Sequence, residues 1–177
     1  MPATPSTAKA ANVLLVEDNR GDVRLITEAL SELDIPPNLV VAGDGGEALE
    51  LLFPRAEDPH VVYPDLIFLD LHLPGKSGKE VLAAVKGDST LKTIPVVMLT
   101  TSSSREDVMS TYGLHANAYV RKPPDLERFV QVLELTTRFW LSVVTLPEHE
   151  RSARCAESPH AAASSPLRAG RGYRAAI

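Results

Sequence analysis

The chain has 177 residues, 44% hydrophobic and 23% charged, which fits one globular domain with a real core. Its formal charge of −5 is uneven: residues 1–146 carry 13 basic against 20 acidic side chains and residues 147–177 carry 5 against 3, so the folded part is a poor candidate for binding nucleic acid. A single cysteine, Cys155, excludes an internal disulfide, and the absence of any apolar run long enough for a signal peptide or a bilayer span points to the cytoplasm and away from membranes.

Residues 1–11 read as a disordered leader. Residues 13–16 are wholly apolar, the mark of a strand buried on both faces, and the run stops at Glu17 and Asp18. Asn19 or Asp18 can cap a helix in which Val23, Ile26, Leu30 and Leu33 recur at helical spacing until Pro36 and Pro37 forbid continuation. Residues 39–42 form a second short strand, and Gly43-Asp44-Gly45-Gly46 opens a helix through Ala48, Leu49 and Leu52. The glycines lack dinucleotide-binding spacing, so a strand-to-helix turn explains them. Residues 53–64 read as a surface loop. The third strand, residues 66–69, stops at Asp70 before a Pro-Gly turn, and a helix from Ser77 to Lys86 carries Val81, Leu82 and Val85 inward. Residues 94–99 form a fourth strand ending in the hydroxyls of Thr100 and Thr101. Ser102 to Ser104 lead into a helix with Val108 and Met109, and residues 118–120 make a fifth strand that ends at Arg121-Lys122-Pro123.

Strands alternating with helices predict an α/β fold with a parallel sheet, all strand ends lying on one edge. Those ends supply Glu17 with Asp18, then Asp70, Thr100 and Lys122. Carboxylates about 4 Å apart repel by roughly 4 kcal/mol at an effective dielectric near 20, so a converging cluster of Glu17, Asp18 and Asp70 calls for a cation. Oxygen-only ligands point to Mg²⁺, which favours one or two carboxylates plus a phosphate. An Asp carboxylate can attack phosphorus to give an acyl phosphate, a transfer that needs positioning and charge neutralisation more than acid-base groups. Lys122 supplies a point charge for it and Thr100 a hydroxyl donor.

The motifs VLLVEDN, DLIFLDLHLPG, VVMLTTS and AYVRKP, at their observed spacing, resemble the receiver domains of two-component response regulators over residues 13–135. That resemblance implies a flavodoxin-like, doubly wound fold over residues 12–147, with a five-stranded parallel sheet of order 2-1-3-4-5. It also implies that a sensor histidine kinase transfers phosphoryl to Asp70. Mg²⁺ would be held by Asp18, Asp70 and the backbone carbonyl of His72, with Glu17 acting through metal-bound water. Thr100 and Lys122 would read the phosphoryl oxygens, and the rotamer of Tyr119 would follow Thr100. Glu17 stands where Asp is frequent, and His72 and Ser102 occupy variable positions that tune dephosphorylation. The second half, from IPVVMLTTSSSREDV to RFWLSVVTLP, is similar to the stand-alone receivers that partner bacterial and cyanobacterial phytochromes, with the bilin belonging to the partner.

Competing readings fit less well. A haloacid-dehalogenase phosphatase wants D-x-D-x-T at its nucleophile, whereas Asp70 is followed by Leu-His-Leu-Pro. Gly75-Lys76-Ser77 lacks the earlier glycine of a nucleotide-binding loop. A receiver kept only as an interaction module would have no need of the complete acid, hydroxyl and Lys set. The five histidines show no metal-ligand spacing.

From Asp125 the sequence predicts an extended last helix running to Pro147. Leu126, Val130, Leu133, Trp140 and Val144 form one apolar stripe, expected on the sheet. Val132, Leu135, Phe139, Val143 and Leu146 form a second stripe, expected to bury itself in a homodimer, the alternatives being that the β-branched chain after Trp140 leaves the helix or that the tail folds back over Phe139. Residues 148–177, with five Arg among Pro, Ala and Ser, read as a disordered tail with no output domain.

Overall fold

A computed structural model describes residues 10–54 and 63–147; the expectations for the leader through residue 9, the middle of the 53–64 loop and the tail lie outside the described residues. The elements follow in the order β1 (Asn12–Val16), α1 (Arg20–Ser31), β2 (Asn38–Ala42), α2 (Gly45–Leu52), β3 (Leu66–Leu69), α3 (Gly78–Gly87), a 3-10 turn (Leu91–Thr93), β4 (Val96–Thr100), α4 (Arg105–Gly113), β5 (Ala118–Arg121) and α5 (Leu126–Arg138), which runs on as a π-helical turn (Phe139–Val143). The sheet is parallel throughout, in the order β2-β1-β3-β4-β5, as the resemblance implied.

Each α-helix starts on a side-chain cap: Asn19, Asp44, Ser77, Ser104 and Asp125. Of the two candidates before α1, Asn19 does the capping, its Oδ1 accepting from the N–H groups of Gly21 and Asp22. At α3 the cap is reciprocal, since Ser77 accepts from the Glu80 N–H while the Glu80 carboxylate accepts from the Ser77 N–H at 2.9 Å.

The strands are apolar on both faces because the sheet divides two cores. Leu14, Val16, Ile67, Leu69, Val96 and Met98 pack under α2 and α3 with Val81, Leu82 and Val85. Val13, Leu15, Leu66, Phe68, Val97 and Leu99 pack under α1 and α5 with Ile26, Leu30, Phe129 and Leu133. Two glycines permit backbone contact at the top of α2 and α3: a Cβ on Gly78 would stand 2.0 Å from the Asp70 carbonyl oxygen, and one on Gly45 would stand 2.1 Å from that of Lys76.

At the entry edge of β4 and β5, Lys86 reaches back from the end of α3. Its ammonium donates to the carbonyls of Ile94 (2.6 Å) and Lys92 (3.2 Å) and to Asn117 Oδ1 (2.8 Å). Asn117 pairs in turn with Val96 through two bonds of 2.9 Å. Burial pushes the Lys86 ammonium down to about 8.

The last helix corrects the sequence reading in three respects. Leu126, placed on the packing stripe, is 66% exposed, because it stands in the first turn before α5 meets the sheet; the packing face is Phe129, Leu133 and Thr137. At Phe139 the helix widens into a π turn, closed by the Val144 N–H on the Phe139 carbonyl at 3.0 Å, and this lets both Trp140 and Leu141 pack against the α1 side core. The helix then ends at Val144, in extended conformation, and not at Pro147; the β-branched pair Val143-Val144 and the approach to proline disfavour another turn. Leu146 is therefore off the helical face that was to carry the second stripe. Leu135, Phe139 and Val143 hold that face at intervals of four and are 72%, 49% and 73% exposed, while Val132 is half-buried.

Candidate functional site

The chemistry-bearing residues stand one position beyond their strands, held there by backbone bonds that extend each ladder by a rung. Glu17 N–H donates to the Ala42 carbonyl (3.0 Å), Asp70 N–H to that of Val16 (3.0 Å) and Lys122 N–H to that of Thr100 (2.8 Å). Parallel register therefore delivers Glu17, Asp70 and Lys122 to one edge.

Their side chains meet at the Lys122 ammonium. It donates to Glu17 Oε2, to Asp70 Oδ2 at 2.8 Å and to Asp22 Oδ2 at 2.9 Å. The second oxygens are also engaged: Glu17 Oε1 accepts from the Asn19 N–H at 3.1 Å, and Asp70 Oδ1 from the His72 N–H at 3.2 Å. Burial alone would depress the Lys122 ammonium, but its bonds to Asp70, Glu17 and Asp22 more than offset that and hold it above its ordinary value. Glu17 moves the other way for an acid. Burial pushes its carboxyl up to about 6 against the pull of Lys122, and the neighbouring Asp70 charge adds to the rise.

Thr100 is fully buried at the end of β4, and its Oγ1 accepts from the Ser102 N–H at 3.3 Å. Tyr119, half-buried on β5, donates its hydroxyl to the Ser102 carbonyl at 3.1 Å. Ser102 Oγ donates to Asp107 Oδ2 at 2.6 Å, and Lys79 of α3 donates to Asp107 Oδ1 at 2.9 Å. The hydrogen bonds from Ser102 and Lys79 hold the Asp107 carboxyl below its usual range. The β4–α4 loop is thus tied to Thr100 below it, to α3 beside it and to β5 through Tyr119.

The structure brings together Glu17, Asp70 and Lys122 as the sequence reading expected. Asp18 is exposed, and among the described residues no hydrogen bond or ion pair joins it to the cluster, nor are three His, Cys, Asp or Glu side chains gathered at metal-holding distance. The third acid on Lys122 is Asp22, which sequence reasoning missed. It lies on a helix and not at a strand end, but the signal was there: three acids in six residues, the last in the opening turn of α1, at the edge where β1 finishes.

Carboxylates converging on the Lys122 ammonium make this edge of the sheet one that favours positive charge. The Lys122 ammonium can neutralise charge on a phosphoryl group carried by Asp70.

Comparison with known proteins follows the same direction. The sequence pattern of the response regulator receiver domain matches residues 13–134. The response regulator Rcp1 of Synechocystis is 43% identical over 135 residues, covering 76% of this chain and 92% of that protein. Among solved structures, the phosphorylated cyanobacterial phytochrome response regulator RcpA is 45% identical with a TM-score of 0.76, over 79% of this chain and all of that one. The Mn²⁺-bound form of Rcp1 is 42% identical with a TM-score of 0.74, over 78% and 99%.

Proposed function

The chain belongs to the response regulator receiver domain family, and from that membership we propose that Asp70 accepts a phosphoryl group from a phosphohistidine of a sensor kinase. The observation that carries this is the meeting of Glu17, Asp70 and Lys122 at the exit edge of the sheet. An Asp70 carboxylate oxygen attacks phosphorus and forms the P–O bond of an acyl phosphate. The P–N bond breaks, its electron pair returns to the imidazole, and that nitrogen takes a proton from solvent. Hydrolysis reverses the gain: water attacks phosphorus, and the chain recovers its carboxylate with release of inorganic phosphate.

Asp18, Asp70 and the His72 carbonyl, with Glu17 through water, would hold Mg²⁺, a choice supported by the oxygen-only chemistry of these donors and by the Mn²⁺ bound to one form of Rcp1. When bound, the ion supplies charge neutralisation on the phosphoryl oxygens. Lys122 keeps its charge throughout and turns a donor from Asp70 to the phosphoryl group, while the Thr100 hydroxyl donates from the β4 side. Tyr119 and Ser102 carry the change to α4.

The kinase is of the phytochrome type, a reading supported by the likeness to Rcp1 and RcpA, and we place the site of action in the cytoplasm. The exposed face of Leu135, Phe139 and Val143, with Val132 beside it and Leu146 beyond the helix end, is the proposed homodimer contact. Each such side chain left in water forfeits about 1.5–3 kcal/mol relative to full burial. Radiolabel transfer from a phytochrome kinase tests the first reading: label that persists in Asp70→Asn, or survives EDTA, removes it. Light scattering at tens of micromolar tests the second, where a monomeric wild type ends it and a dimer untouched by Phe139→Asp moves the contact elsewhere.

A further inference from the structure

Resting on the phosphoacceptor reading, we infer that Asp22 weakens this site's hold on the phosphoryl group: it is a positioning residue that occupies a Lys122 donor and sets an extra negative charge beside Asp70. A lysine ammonium has three donors, and here all three are committed, to Glu17, Asp70 and Asp22. None is free for a phosphoryl oxygen until one carboxylate lets go.

The three acids are not equivalent. The Glu17 side chain is 1% exposed and held at both oxygens, so it has nowhere to turn. Asp70 is itself converted to the acyl phosphate, and its bond to Lys122 passes to the phosphoryl oxygens it receives. Asp22 comes from another element, the first turn of α1, fixed there by its N–H on the Asn19 cap at 3.3 Å, and its side chain is 29% exposed. It does no work that the chemistry requires.

Charge decides the direction. Glu17, Asp18, Asp22 and Asp70 set four carboxylates against one ammonium and a divalent ion, leaving one negative charge over. Phosphorylation turns the Asp70 monoanion into roughly a dianion and leaves two; without Asp22 one would remain. The oxygens of Asp22 and Asp70 both lie within 3 Å of one nitrogen, so they are no more than about 6 Å apart. Like charges at that range, in a site this buried, repel appreciably.

The probe is beryllofluoride, which adds to the acceptor carboxylate as a phosphoryl mimic, titrated by ¹⁹F NMR at saturating Mg²⁺ against wild type, Asp22→Asn, Asp22→Ala and Asp70→Asn. Both Asp22 variants are expected to bind about tenfold more tightly than wild type, and the gain should shrink in 1 M KCl, where a partly exposed charge is screened. A residue with a merely structural role would lose affinity on replacement. If wild type binds and both Asp22 variants fall within twofold of it or weaker, the inference is overturned while the phosphoacceptor reading stands. If wild type binds no more than Asp70→Asn, both fall together.

Discussion

Lys122 and Lys86 stand at opposite edges of one sheet, and each directs three donors at protein oxygens. Their acceptors differ in one property. Lys122 faces three carboxylates, and Lys86 faces two backbone carbonyls and an amide. Burial works against both ammonium groups, yet Lys122 is held above its ordinary value while Lys86 is pushed down to about 8. The two lysines share a count of three hydrogen bonds, and the formal charge of the acceptors is what separates them. One edge has become an electrostatic device that a ligand can unbalance. The other is a peg that fastens the end of α3 to the start of β4 and β5.

The hardest blow to this contrast is Lys122→Met. It leaves Glu17, Asp22 and Asp70 without their internal cation, and breaking a buried charge pair costs about 3 kcal/mol at neutral pH. Urea denaturation should show that loss and its recovery in millimolar Mg²⁺. A variant as stable as wild type in EDTA would mean that the acids need no cation.

Lys86→Met should cost less, about 2 kcal/mol, because it strands neutral acceptors instead of charges. The sharper readout is the pH profile. Folding lowers the Lys86 value from 10.5 to about 8, so between these values the unfolded chain binds more protons and stability climbs with pH. Subtracting the Met variant's profile from that of wild type should isolate this climb. Lys122, raised on folding, has the opposite sign: its contribution is complete below pH 10.5 and is lost only above that.

Glu17→Gln extends the comparison to the acids. Folding raises the Glu17 value from 4.5 to about 6, so the native state binds more protons in that window and stability falls as pH rises through it. The Gln variant should abolish the fall and be about 1–2 kcal/mol more stable at pH 7, even as phosphoryl uptake suffers. A flat wild-type profile between pH 4.5 and 6 would contradict it. The smallest change is Lys79→Met. The Lys79–Asp107 pair is partly exposed, 35% and 20%, and its loss should cost less than about 1 kcal/mol in thermal melts.

Most of this edge was legible because buried parallel strands are apolar throughout, so any charged residue next to one is conspicuous. That contrast located Glu17, Asp70 and Lys122, and the third strand was read to the residue as β3. The same logic cannot see Asp22, which sits on a helix where charge is commonplace. Helix α5 failed differently. Counting at 100° per residue chose Leu126 over Phe129, because both are large and apolar and only the angle at which α5 descends on α1 separates them. The π turn at Phe139 was out of reach as well, since it comes from seating Trp140 and Leu141 in one core and not from any local propensity.

That π turn is equivalent to one inserted residue in an otherwise regular helix. Read as a genetic event, it sits one codon away from a plain α-helix. A π turn absorbs its extra residue locally, so deleting Leu141 would restore ordinary winding and leave Val143 close to its present direction. Val143 would keep the face it shares with Leu135 and Phe139, while the contact that Leu141 makes with the α1 side core would be lost. Descendants of this chain could thus trade core packing at the end of α5 for regular winding by a three-nucleotide loss far from Asp70, with the exposed face and the phosphoryl chemistry both left in place.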